Sequence, residues 1–142
     1  MFHQRIEISR EFAVPVSRLF AFLEQDEKLA LMFPSNKVRH VSDGSDARYG
    51  LGATREVRAA VGAPFIETIT AYRVNELIEY RITSGSLLNN HHGVMRFSAT
   101  TAGGARLDYR IEFDAKFPPL APLIRFLLAR DMRHGLANLR VD

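Results

Sequence analysis

The 142-residue chain contains no cysteine, which excludes disulfides, thiolate catalysis and every zinc site built on Cys ligands. No apolar run approaches the roughly 18 residues that a membrane-spanning helix needs. The opening MFHQRIEISREF carries charge where a targeting segment needs an apolar stretch, so a cytoplasmic protein without a membrane span is expected. There is no GxSxG, P-loop, HExxH or dinucleotide fingerprint, and Gly50-Leu51-Gly52 lacks the strand-turn-helix setting of a phosphate loop. Nucleophilic and nucleotide-dependent enzymes are thereby disfavoured, and no cofactor and no metal are expected. Lysine is scarce: 16 of the 19 cations are Arg. They are interleaved with Asp and Glu, so the net charge of +3 forms no basic run and no nucleic-acid partner is expected.

What is present fits one ordinary domain spanning 1–142. The composition is 46% hydrophobic and 25% charged, enough for a packed core without staples. Ile6, Ile8 and Phe12 recur at even spacing over 4–13, predicting a strand with one apolar face. Pro15 then opens a helix whose Leu19, Phe20 and Leu23 share a side, and Asp26 is the expected N-cap of a second short helix that stops before Pro34. From Asn36 the period changes to two. Strands are predicted at 37–43, 53–60, 65–73, 76–84, 91–100 and 105–115, separated by Gly- and Asn-rich turns. Short connections leave no room for crossovers, so these six form an antiparallel meander. Pro118, Pro119 and Pro122 precede or open a long terminal helix from about 119, with Leu120, Ile124, Leu127, Leu128 and Leu139 at helical spacing.

This order of elements is uncommon. With the segments IEISREFAVPVSRLFAFLEQDEKLALMFP, FIETITAYRVNELIEYRI and HHGVMRFSATTAGGARLDYRIEFDAKF, the chain resembles the START-like, birch-pollen-allergen-like (SRPBCC) superfamily, in its polyketide cyclase/dehydrase and lipid-transport branch. Where many relatives carry Trp before the Pro after the short helices, this chain has Phe33. The resemblance implies an α+β helix-grip fold: a curved seven-stranded antiparallel sheet around a long C-terminal helix, two short helices after the first strand, and a cavity between sheet and helix. The superfamily shares no catalytic motif, so no active-site residue carries over by position.

Strand alternation assigns faces. Leu107, Tyr109, Ile111 and Phe113 look at the helix; Met95, Phe97 and Ala99 do likewise if the intervening turn holds an odd number of residues, with a bulge expected at Gly103 or Gly104. The same parity turns His91 inward and His92 outward, so the pair cannot chelate one metal. Phe65, Glu67 and Ile69 are taken as inward, as are Ile78, Tyr80 and Ile82. On the last helix Asp131, His134 and Asn138 overlap the apolar stripe, and Gly135 permits close approach.

The expected ligand-binding surface is Phe65, Ile69, Tyr80, Phe97, Tyr109, Ile124 and Leu128. The leading function is binding or transport of a hydrophobic small molecule such as a lipid, a quinone or a polyketide-like aromatic. The alternative is a cyclase- or dehydratase-like enzyme using Glu67, His91, Asp131 or His134 as acid and base, assisted by Tyr80 or Tyr109. A third reading, a protein-interaction module, requires a filled cavity and large exposed apolar patches. The oligomeric state is not encoded in any motif.

Overall fold

The computed structural model describes residues 3–60 and 62–141. Strand β1 (His3–Phe12) leads into α1 (Val16–Leu23), α2 (Asp26–Leu29) and a 3-10 turn (Ala30–Met32). Six strands follow: β2 (Lys37–Ser42), β3 (Thr54–Arg58), β4 (Phe65–Arg73), β5 (Leu77–Ser84), β6 (Leu88–Ala99) and β7 (Ala105–Ala115). A second 3-10 turn (Pro118–Leu120) opens α3 (Ala121–Asn138). The seven strands form one antiparallel sheet in the order β1-β7-β6-β5-β4-β3-β2. The elements and their order agree with the sequence expectation.

The even-numbered spacing of β7 buries Leu107, Tyr109, Ile111 and Phe113 completely or nearly so, and β6 contributes Met95 and Phe97 to the same core. Leu19, Phe20 and Leu23 of α1 close over one end, with the Phe20 ring edge-on to Phe97 at 5.0 Å. The 100–104 connection has the expected odd length and the expected bulge: the Gly103 N–H donates to the Thr100 carbonyl at 3.1 Å and the Thr100 N–H to the Gly104 carbonyl at 3.0 Å, with Gly103 at φ +81° as the extra residue. Two details differ from expectation. Ala99, next to this turn, is exposed and does not join Met95 and Phe97 in the core, and a further irregularity of the strand pair falls between Asn89 and His92.

The face of α3 is also rotated from the leucine stripe. Its buried residues are Ala121, Ala129, Met132, Gly135 and Leu136, while Ile124 and Leu128 are half-buried and Leu120 and Leu127 are exposed. Small side chains set this orientation, because a Cβ at Gly135 would stand 2.5–2.6 Å from the Met32 backbone. The helix therefore docks through a face in which small residues permit close approach and Met132 and Leu136 fill the space between. Its far end is held by Arg10 of β1, whose Nη1 donates to the carbonyls of Leu136 and, at 3.0 Å, Leu139.

Candidate functional site

The inner face of the sheet carries a ladder of polar side chains, one from each of five adjacent strands: Arg55 (β3), Glu67 (β4), Tyr80 (β5), His91 (β6) and Tyr109 (β7). Arg55 is 3% exposed and His91 7%, and Asp26 of α2, 4% exposed, reaches the same group. Arg55 Nε donates to Glu67 Oε1 at 2.8 Å and Nη1 to Asp26 Oδ1 at 3.4 Å. Its guanidinium carbon lies 4.6 Å from the centre of the Tyr80 ring, a cation–π stack. The Tyr80 and Tyr109 hydroxyls are hydrogen-bonded to each other, and His91 tilts against Tyr80 with ring centres 5.5 Å apart.

Local backbone features position these groups. Tyr80 is paired with Gly93, and a Cβ there would sit 2.2–2.7 Å from the Tyr80 ring, so the absent side chain is what lets the phenol lie across β6. Register shifts in the β4–β5 pair bracket Glu67 and Ile69, and strand irregularities of this kind re-aim side chains beside sites. Phe33 covers Tyr109 edge-on at 6.1 Å.

Two buried atoms of the ladder, Arg55 Nη2 and His91 Nδ1, have no hydrogen-bond partner among the described residues. Burial disfavours the Arg55 charge, but Glu67, ahead of the tyrosines and Asp26, holds its pKa above the ordinary value. Burial raises the pKa of both tyrosines, Tyr80 strongly, so both stay phenols. Burial also lowers the pKa of His91, only partly countered by Glu67, and favours the neutral imidazole. The arrangement thus offers an unpaired guanidinium N–H, a hydroxyl pair with one O–H left over, and a neutral imidazole around a single aromatic ring.

Behind Arg55 the network runs outward. His40 Nδ1 and Nε2 lie 2.7 Å from Asp26 Oδ2 and Asp43 Oδ1. A ring with carboxylates at both nitrogens is best served by the imidazolium. Burial pushes the His40 pKa down, but the hydrogen bonds to Asp43 and Asp26 outweigh it and the net shift is upward.

Of the acid and base candidates, Glu67 and His91 belong to this cluster and Asp131 and His134 do not. Asp131 accepts hydrogen bonds from the Ser35 N–H (3.2 Å) and hydroxyl (2.9 Å), tying α3 to the turn after the short helices. His134 is exposed on the outer side of α3, where its carbonyl accepts from Asn138 Nδ2. Among the apolar candidates, Ile69, Tyr80, Phe97 and Tyr109 are packed into the core, Phe65 is half-buried, and Ile124 and Leu128 pack half-buried against the core. Two solvent-open depressions lie elsewhere. One, about 360 Å³, runs between β1 and the end of α3 beside Arg10 and Arg133; the other, about 370 Å³, includes Glu7, Arg96 and Arg106. Among the described residues no group of three His, Asp or Glu side chains is placed to hold a metal.

Sequence reasoning missed Arg55, Asp26 and His40. The signal for Arg55 was present: Ala53, Arg55 and Val57 share the buried side of their strand segment, an Arg where alternation calls for an apolar residue. Asp26 is not a cap. The N-cap is Gln25, without a side-chain cap bond, and Asp26 turns inward because His40 and Arg55 supply partners that a cap position lacks.

The family described as polyketide cyclase / dehydrase and lipid transport matches residues 3–141. Solved structures with a similar fold include a Thermus thermophilus protein (TM-score 0.75, 16% identity, covering 96% of this chain and 94% of that one). Truncated norcoclaurine synthase from Thalictrum flavum gives a TM-score of 0.70 at 14% identity, with 96% and 92% coverage. Ara h 8.0201 gives 0.59 at 18% identity, with 96% and 99% coverage. Identities this low carry the fold alone. A comparison with curated protein sequences yields no match.

Proposed function

From the premise that this chain belongs to the polyketide cyclase/dehydrase and lipid transport family, we propose that it binds an apolar small molecule against the inner face of its sheet. Arg55, Tyr80, Tyr109 and His91 anchor the ligand's polar end. The observation that carries this reading is the pair of buried, unpartnered atoms, Arg55 Nη2 and His91 Nδ1. An unmatched buried polar group costs about 1–3 kcal/mol, and a ligand oxygen beside the guanidinium removes that cost. The surrounding aromatic and aliphatic side chains suit an apolar ligand body.

Native mass spectrometry of gently purified protein tests the reading. A retained small molecule is expected, with reduced occupancy in Tyr109→Phe, which keeps the ring and deletes one hydroxyl. Absence of any retained molecule, together with failure to bind an environment-sensitive naphthalene dye, overturns it.

A second reading, proton-transfer chemistry on the bound molecule, is favoured by one observation: His91 is held neutral beside an unpartnered guanidinium N–H. A neutral imidazole accepts a proton while the guanidinium stabilises the oxygen on which charge develops. His91→Gln distinguishes the two. It abolishes turnover with affinity retained in an enzyme, and changes affinity alone in a carrier.

A further inference from the structure

The charge of this chain is unevenly distributed in a way that its total conceals. Residues 1–115 contain 14 Lys and Arg and 14 Asp and Glu. Residues 116–141 contain five cations (Lys116, Arg125, Arg130, Arg133 and Arg140) and one carboxylate, Asp131. The terminal helical segment is thus net +4, reduced to the chain's +3 by Asp142. Asp131 is already engaged by Ser35 on the inner flank of the helix. All five cations are exposed.

The same segment exposes its large apolar side chains. Phe117 is 60% exposed, Leu123 53%, Phe126 60% and Leu127 52%, and Leu120 is exposed beside them. At 100° per residue Leu120, Leu123 and Leu127 fall within about 60° of one another, on the side of α3 opposite the buried Met132 and Ala129. Arg130 continues this stripe one turn later. Leu87, also exposed, extends it at the Phe117 end, where its carbonyl accepts from the Lys116 N–H. Isolated exposed leucines need no explanation, but a contiguous apolar stripe ringed by cations does.

We infer that this outer face of α3, from Phe117 to Arg130, docks on an anionic lipid surface. The apolar residues enter the headgroup–acyl boundary while Lys116, Arg130 and Arg133 face lipid phosphates; Arg125 stands on the opposite flank of the helix, where its Nε donates to the Arg5 carbonyl at 3.0 Å. A helix lying in the plane of the interface gains both from apolar burial and from attraction to anionic lipid. It does not span: no helix among the described residues is long and apolar enough. A second copy of the chain is the wrong occupant, because two such faces bring like charges together. Nucleic acid is a poor one, because the centre of the stripe offers hydrocarbon and no donor. The stripe is convex and follows one helix, which suits a deformable planar partner.

Co-sedimentation with vesicles tests this. With phosphatidylcholine vesicles containing about one-third phosphatidylglycerol, binding is expected to exceed that to pure phosphatidylcholine by about tenfold or more. It should fall as salt is raised from about 0.05 to 0.3 M. Leu123→Ser with Phe126→Ser should abolish it, and Lys116→Glu with Arg130→Glu should weaken it by about fivefold per position. Both pairs are exposed, so an unchanged melting temperature verifies that the variants stay folded. No association with anionic vesicles overturns the inference, as does association that survives both variant pairs. A dimer in sedimentation velocity that Leu123→Ser dissolves also overturns it, assigning the stripe to self-association instead.

Discussion

Arg55 is a buried cation held by two carboxylates from different parts of the chain, Asp26 on α2 and Glu67 on β4. Removing it leaves Glu67 enclosed without its counter-charge and leaves Asp26 with His40 alone. Arg55→Met is therefore expected to destabilise the fold by about 3–5 kcal/mol. Urea unfolding measures this, and adding Asp26→Asn and Glu67→Gln should recover much of the loss; a combined variant as unstable as the single one would show that charge balance is not the cause. The two histidines of the network act with opposite sign on pH. The folded-state pKa of His40 is raised, so its stabilisation is complete below the unfolded value of about 6.5 and is lost as pH rises through the folded pKa. The folded-state pKa of His91 is lowered, so its neutral form favours folding above about 6.5, and that advantage erodes as pH falls toward the folded pKa. His40→Gln should flatten the decline of stability above pH 6.5 and His91→Gln the decline below it, read from urea midpoints across pH. Matching slopes in wild type and both variants would refute the assignment.

Two close approaches hold the elements in register, and they differ in what can yield. A methyl group at Gly93 meets the Tyr80 ring, whereas one at Gly135 meets the Met32 backbone. The ring can rotate or shift at the cost of its bond to Tyr109, and overpacking of that kind costs about 1–3 kcal/mol. The backbone cannot retreat without moving the whole 3-10 turn away from α3. Gly135→Ala is therefore expected to lower the urea midpoint more than Gly93→Ala, while Gly93→Ala alters the site itself; the reverse order of stability would show that α3 is loosely seated. The legibility of each element follows from the same physics. Alternation over 105–115 fixed which side of β7 is buried, because a slip of one residue would expose Leu107, Tyr109, Ile111 and Phe113 together. For α3, Leu120 and Leu127 misled, because the helix packs through Ala121, Ala129 and Gly135 together with Met132 and Leu136, and the close approach at Gly135 sets which side faces inward. Glu67 and His91 could be found from strand parity. Asp26, His40 and Arg55 owe their roles to one another across 14 and 29 residues of chain, and no local pattern encodes such pairings.

Across the molecule the sheet has a tight side and a loose one. Strand β7 buries six of its eleven residues, whereas β4 buries one of nine and β2 none. Strands with few buried contacts open at lower free energy, so native-state amide exchange should be slowest in β6 and β7 and markedly faster through β2, β3 and β4. The polar ladder crosses this boundary: Arg55 and Glu67 stand on the loose strands, Tyr80, His91 and Tyr109 on the strands behind them. A ligand anchored to both parts binds only when they are correctly apposed, and so stabilises the loose side by RT ln(1 + [L]/Kd), about 2.7 kcal/mol at a hundredfold excess over Kd. Hydrogen exchange with and without the retained small molecule, or with a naphthalene dye in its place, reads this directly. Protection should rise most in β3 and β4, with β6 and β7 changing least because they are already closed. Equal protection everywhere would mean that the ligand senses only global unfolding, and protection confined to the outer face of α3 would move the ligand site off the ladder altogether.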